Sequence, residues 1–342
     1  MDLKQRDIPS STGGARPTTM TAVVQDRYGE AAEVLRVAEV PIPVIGDRDV
    51  LVRVEAAGVD RGVWHLVGGT PRLVRLAVGL RAPRQKVPGM DVAGGVEVVG
   101  AAVTRFRVGD EVYGAGSGTF AEHARVPEAS LALRPAGLTA VQAAAVPISG
   151  CTALEAVRDR ARVRAGDRVL VLGASGGVGS YAVQVAAALG AEVTGTASTA
   201  KVDMVRALGV DHVVDHSTSD PLAEAGSYDV IIDTGGARSL RSLRRAMTPT
   251  GRLVIVGGET DGWLLGGLDR QLRASVLSLV VRQSLVMFVN AVRAADLEAL
   301  TALVEAGSLV PAVDRTYPLA EAAAAIRDLS EGRVRGKAVV TV

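Results

Sequence analysis

Residues 169–190, VLVLGASGGVGSYAVQVAAALG, constrain the fold more than any other stretch of the chain. Val169 to Leu172 is a short, continuous apolar run, as in a parallel strand buried on both faces. Gly173-Ala174-Ser175-Gly176-Gly177-Val178-Gly179 follows as a tight glycine-rich turn. Tyr181 to Leu189 then reads as an alanine-rich helix, apolar on every side, and Gly190 stands where a left-handed cap is wanted. A second strand, Glu192 to Thr196, completes the unit. Glycines let the backbone bend sharply and come close to a pyrophosphate, while the helix start offers unpaired amides and the positive end of its dipole. The spacing is A-x-x-G-x-V-G, with Ala174, Gly177 and Gly179 at the key positions, instead of G-x-G-x-x-G. A glycine cluster alone is a weak signal, but strand, turn, helix and second strand together point to a bound dinucleotide. The alternative is a structural turn that holds no ligand.

The 342 residues suffice for two domains. Downstream of the turn, strands and helices alternate: Val193–Ala197 strand, Ala200–Leu208 helix, His212–Asp215 strand, Tyr228–Asp233 strand, Leu240–Met247 helix and Arg252–Val256 strand. This pattern predicts a doubly wound parallel sheet. Upstream the pattern differs. Thr21–Val24, Val34–Val40 and Asp49–Ala57 are short strands, the last two alternating apolar with polar residues, which predicts a β-rich, barrel-like domain. The basic stretch 71–86 reads as a solvated helix and loop. Helices are expected at Leu138–Ala145, Cys151–Arg158, Asp296–Glu305 and Leu319–Leu329, and a closing strand at Lys337–Val342.

Composition narrows the partners. Aromatics make up 3% of the chain and the net charge is +1, so no stacking platform for single-stranded nucleic acid is present and no nucleic-acid partner is expected. The single cysteine, Cys151, excludes an internal disulfide and a multi-cysteine zinc cluster. It fits a reducing, cytoplasmic setting. No apolar run reaches membrane-spanning length.

The segments AAGVD ending at Asp60, PGMDVAGGVEVVG, FRVGDEVYG, the glycine motif and the terminal RGKAVV together resemble the medium-chain dehydrogenase/reductase superfamily. The closest likeness is to its zinc-independent quinone oxidoreductase branch, and it runs from about Thr21 to Val342. Residues 1–19, rich in Ser, Thr, Gly and Pro, read as a mobile tail, and the resemblance implies a GroES-like catalytic domain over 20–146 that is completed by 316–342. Between them it implies a Rossmann domain over 147–315. Relatives are commonly dimers or tetramers, so a homodimer is expected.

Zinc enzymes of the superfamily carry a cysteine at the place of Asp60 and G-H-E at the place of Gly89-Met90-Asp91, so no metal is expected here. The resemblance places Thr152 and Gly257 by the nicotinamide, and Lys337 among the cofactor contacts together with Ala174 through Gly179. No acid ends the Glu192–Ala197 strand, where an NAD site usually has one. Ser198 and Lys201 suit a 2′-phosphate instead, with His216 beside the adenosine, so NADPH is the expected cofactor. For Lys201 a solvated helix residue is the alternative. Without a Lewis acid, hydride transfer to a quinone or an α,β-unsaturated carbonyl is easier than carbonyl reduction, because the charge spreads onto a remote oxygen. A reductase serving one biosynthetic enone, and a non-catalytic nucleotide binder, are the alternatives. His65 is the candidate proton donor, since imidazole chemistry suits transfer near neutral pH; a ribose-bonding or structural role is the alternative. Asp60 is the second candidate catalytic residue.

Overall fold

The structure, a computed structural model, describes residues 17–256 and 281–342, with 273, 274 and 276–278 between them. Apolar residues at every second position put one face of each early strand into a core. β1 (Thr19–Gln25) and β2 (Leu35–Pro41) pair as an antiparallel ribbon. β3 (Asp49–Val59), β4 (Asp91–Val99), β5 (Glu111–Ala115), β6 (His123–Pro127) and β7 (Leu131–Leu133) build the next sheet. Its centre is β3, bonded to both β4 and β6, with Val50, Val52 and Val54 buried. This is the GroES-like layer.

The second sheet is built differently. β8 (Arg168–Leu172), β9 (Glu192–Ala197), β10 (His212–Asp215), β11 (Tyr228–Asp233), β12 (Met247–Ile255) and β13 (Ser284–Met287) lie in the order β10-β9-β8-β11-β12-β13. All neighbours are parallel. Side chains alternate between its two faces. Val169 and Val171 share one core with Tyr181, Val183 and Cys151, whereas Leu170 and Leu172 share the opposite core with Ile231, Leu243 and Leu253. Both faces are therefore covered, which explains why β8 is apolar without alternation. Strand order reverses between β8 and β11, and that reversal opens a crevice at the carboxyl ends of these two strands.

After the helix Ala294–Glu305 the chain returns to the first sheet. β14 (Val313–Pro318) runs parallel to β15 (Lys337–Thr341), which pairs antiparallel with β3. The return thus begins at 313, slightly before the expected 316. Other boundaries differ as well: β12 begins at Met247, five residues before the expected Arg252. The helix after the glycines starts at Gly177, not Tyr181, because alanine- and glycine-rich sequence hides a helix start. The expected Cys151–Arg158 helix is an α-helix over Pro147–Leu154 followed by a π-helical turn over Glu155–Arg160. Val34 closes a short helical turn, Ala31–Val34, so β2 begins one residue later. Of the expected tail, residues 1–16 lie outside the described residues, and β1 already begins at Thr19. The basic stretch 71–86 holds two short helical turns, Arg72–Val74 and Arg75–Val78.

Candidate active site

The crevice floor is the glycine turn. Gly173 sits at φ +79°, a conformation open to glycine but strained for other residues. Its amide donates to Thr196 Oγ1 at 3.1 Å, and the Ala174 amide donates to the Thr196 carbonyl at 3.0 Å. Thr234, at the end of β11, donates from Oγ1 to the Leu172 carbonyl at 2.7 Å, so the two strand ends flanking the crevice are clipped together. The helix then starts at Gly177 with no side-chain cap. Its first amides have no intrahelical acceptor by construction, and Ser175 through Val178 are partly exposed.

Gly179 packs the helix onto the turn: a Cβ there would lie 2.0 Å from the Gly173 carbonyl oxygen. At Gly177 a Cβ would meet Ser149 Oγ at 3.0 Å and Lys337 Cδ at 3.2 Å. The turn is therefore a cradle whose glycines are required by close approach, and it suits a pyrophosphate.

Beneath Gly177 lies a buried polar quartet. Lys337, 1% exposed, reaches from β15 to Asp60 Oδ1 at 2.5 Å and Asp91 Oδ2 at 3.1 Å. Ser149 donates to Asp60 Oδ1 at 2.8 Å, and the Ile148 amide donates to Asp91 Oδ1 at 2.8 Å. Gly58 makes room for it, since a Cβ at that position would fall 2.5 Å from Asp91 Oδ2. Two carboxyls share one ammonium, so full ionisation would leave a net buried negative charge, which is costly. The two acids therefore part. Burial and the neighbouring Asp60 charge push Asp91 well above the usual carboxylate range. Burial opposes ionisation of Asp60 as well, but the Lys337 charge and the hydrogen bonds from Asp91, Lys337 and Ser149 outweigh it and hold Asp60 below that range. Burial disfavours the Lys337 ammonium, yet the two acids raise it above its ordinary value. A neutral Asp91 bonded to Asp60 is consistent with all three.

A pH signature follows. Between the ordinary carboxylate value and the raised one, the folded chain holds a proton at Asp91 that the unfolded chain has released, so this group costs stability as pH rises. Asp91→Asn has no such proton. Its stability relative to the unchanged chain is expected to climb above about pH 4, by up to about 1.4 kcal/mol per unit. Denaturant melts across pH measure it, and a flat difference means that Asp91 is ionised.

The remaining sequence-predicted residues divide into two groups. Asp60 precedes the helix Arg61–Gly68, which carries His65 in its last turn with the ring 4.7 Å from Trp64. Thr152 lies in the Pro147–Leu154 helix and donates to the Ile148 carbonyl at 2.6 Å. Ser198 and His216 meet at the ends of β9 and β10, where the His216 amide donates to the Ala197 carbonyl at 3.0 Å. Gly257 lies outside the described residues. Lys201 and Lys337 are both engaged by the protein. The Lys201 ammonium donates to the carbonyls of Gly332 and Val334, each at 2.7 Å. Lys337 enters the cradle with its stem, not its charge.

Sequence reading missed Ser149, the role of Asp91, and the Asp233 carboxylate that accepts from the amides of Gly235 and Gly236. Cys151 fills core space. Cys151 is fully buried, and burial drives its thiol far above its ordinary value, which leaves it inert.

The place that superfamily zinc enzymes use for ligands does not suit zinc here. An ammonium bridges Asp60 and Asp91, and among the described residues no group of three or more histidine, cysteine or acidic side chains is placed to hold a metal ion. None of the described helices is long and apolar enough to cross a membrane.

Comparisons with known proteins agree with this architecture. A profile described as alcohol dehydrogenase GroES-like domain matches residues 46–136, and one described as zinc-binding dehydrogenase matches residues 208–340. The mitochondrial NAD(P)H oxidoreductase RTN4IP1 of Mus musculus is 31% identical over 97% of this chain and 91% of its own length. The spectinabilin polyketide synthase system protein NorB of Streptomyces orinoci is 36% identical over 84% of this chain, which spans 13% of that much longer protein. Among solved structures, the quinone oxidoreductase from Coxiella burnetii superposes with a TM-score of 0.80 at 26% identity, covering 95% of this chain and 99% of that one. The chain is an oxidoreductase belonging to the medium-chain dehydrogenase/reductase superfamily, in its quinone oxidoreductase-like branch.

Proposed function

We propose that the chain is an NADPH-dependent, metal-independent reductase of quinones or α,β-unsaturated carbonyls. The observation that carries this reading is the quartet: a protein-borne cation, Lys337, stands between Asp60 and Asp91 directly under the glycine cradle. A site so filled favours acceptors that need no Lewis acid.

The bound NADPH supplies the hydride. The chain's own residues do the rest. The amides of Gly177, Val178 and Gly179 receive the pyrophosphate, and the turn Ala174-Ser175-Gly176 wraps it. Ser198, Lys201 and His216 border the adenosine end. The acid there, Asp215, accepts from Thr199 Oγ1 at 2.6 Å and from the Ser217 amide at 2.9 Å, so its charge is spent on the loop. Thr152 borders the nicotinamide. His65 delivers the proton, and Asp60 acts on it indirectly by fixing the start of its helix. We carry a homodimer in a reducing compartment as part of this reading.

The similarity to NorB favours one second reading, an enoyl reductase serving a biosynthetic chain. One assay separates the two: NADPH absorbance decay with ortho-quinones, para-quinones and simple enones. Turnover of several quinones with a clear preference for NADPH over NADH is expected. Turnover of a single complex enone supports the second reading, and tight NADPH binding without any turnover overturns both.

A further inference from the structure

Between Asp60 and Asp91 the chain carries Arg61, Arg72, Arg75, Arg81, Arg84 and Lys86 and no acid. The same span puts apolar surface into solvent: Leu73, Leu76 and Leu80 are 39%, 65% and 68% exposed. Single exposed leucines are ordinary, but several in so short a run mark a surface that meets something else.

The run is held firmly. The Tyr28 hydroxyl donates to the Gly79 carbonyl at 2.7 Å, Arg75 Nε donates to the Gly69 carbonyl at 2.9 Å, and the Arg75 guanidinium stands 4.5 Å from the centre of the Tyr28 ring. At the far end the Gln25 amide of β1 donates to the Lys86 carbonyl at 2.8 Å, and the Lys86 ammonium pairs with Asp26 at 2.9 Å. The turns Arg72–Val74 and Arg75–Val78 are thus anchored to the GroES-like layer on both sides. Leu76 and Leu80 are carried outward on a fixed frame. Arg81 beside them is exposed, and among the described residues no acid pairs with it.

Leucines interleaved with arginines, and no acid among them, suit a surface that is negative outside and hydrocarbon beneath. Arginine and lysine heads meet headgroup phosphates while leucines enter the acyl boundary. A nucleic acid would use the charges and leave the leucines wet. A twofold dimer through this run would set the same cations against each other.

We propose that residues 71–86 dock the protein on an anionic lipid surface, with Leu73, Leu76 and Leu80 in the boundary and the basic side chains on the headgroups. The contact is peripheral, since none of the described helices can span a bilayer. The helix Arg61–Gly68, which carries His65, leads straight into the docked run. The docking does not depend on which coenzyme or acceptor the crevice takes.

The test is co-sedimentation of the full chain with vesicles of phosphatidylcholine alone and of phosphatidylcholine mixed with phosphatidylglycerol. The mixed vesicles are expected to bind it far better than the neutral ones, and rising salt to weaken the binding. Arg81→Gln should reduce the affinity about fivefold, and Leu76→Ser and Leu80→Ser about tenfold each. All three side chains are exposed, so the melting temperatures should not move. The proposal falls if the mixed vesicles leave the unchanged chain in solution, or if binding survives both leucine substitutions, which would make it charge attraction alone. It also falls if those substitutions dissociate an oligomer in lipid-free gel filtration, because a second copy would then be what covers the leucines.

Discussion

Lys337→Met is expected to be the most destabilising single substitution in the described core, costing about 3–5 kcal/mol, because it leaves two buried carboxyls without their cation. The variant should also respond more steeply to pH, because Asp60 then titrates in the same direction as Asp91. With the ammonium gone, Asp60 loses the partner that holds it ionised, so a neutral form is favoured and stability should rise as pH falls toward the ordinary carboxylate range. The partner variant Asp60→Asn should cost less. Removing Asp60 takes away the charge that helps keep Asp91 neutral, so Asp91 can ionise and pair with Lys337. Thermal melts of the three proteins from pH 5 to 8 decide the matter. If Lys337→Met costs less than Asp60→Asn, the cation is not the centre of the cluster.

Gly179→Ala should have the largest effect on cofactor binding. The added Cβ meets a backbone oxygen, Gly173 O, at 2.0 Å, and neither partner is the end of a flexible side chain. The helix must shift away from the turn, which moves the amides that receive the pyrophosphate. Overpacking of this kind costs about 1–3 kcal/mol of stability, and misplacing the amides should lower affinity for the reduced coenzyme about a hundredfold or more. Gly177→Ala makes a useful control. Its Cβ would meet the Ser149 hydroxyl at 3.0 Å and the Lys337 stem at 3.2 Å, which can both yield slightly, and the Gly336 carbonyl at an ordinary 3.7 Å. Fluorescence titration with NADPH should rank Gly179→Ala far below Gly177→Ala. Equal losses would mean that the backbone contact is not what the motif protects.

The alternating strands and helices after Val169 were legible because the central strands β8, β9 and β11 are largely buried, and so read as continuous apolar runs. The crevice was legible through Gly173 to Gly179, where close approach leaves a compositional mark. The short strands β7, β13 and β14 were not seen. β14 reads VDRTYP, with one side chain, Tyr317, buried, so it has no clear period. The quartet was harder still. Lys337 is 277 residues from Asp60 and 246 from Asp91, and no local pattern links positions so far apart. The available signal was a lysine opening an apolar strand, KAVV, where a charge has no place unless it is paired. The Lys201 bonds left no trace at all, since their acceptors are main-chain carbonyls that any residue supplies.

The late position of Lys337 bears on how the chain is made. Asp60 and Asp91 leave the ribosome long before their cation exists, and at ordinary elongation rates the delay is on the order of tens of seconds. Until β15 is synthesised, two acids face an unfinished interior and the pleat beside β3 lacks its last neighbour. A chain cut just before Gly336 would therefore lack both the cation of the quartet and the strand that pairs with this edge of β3.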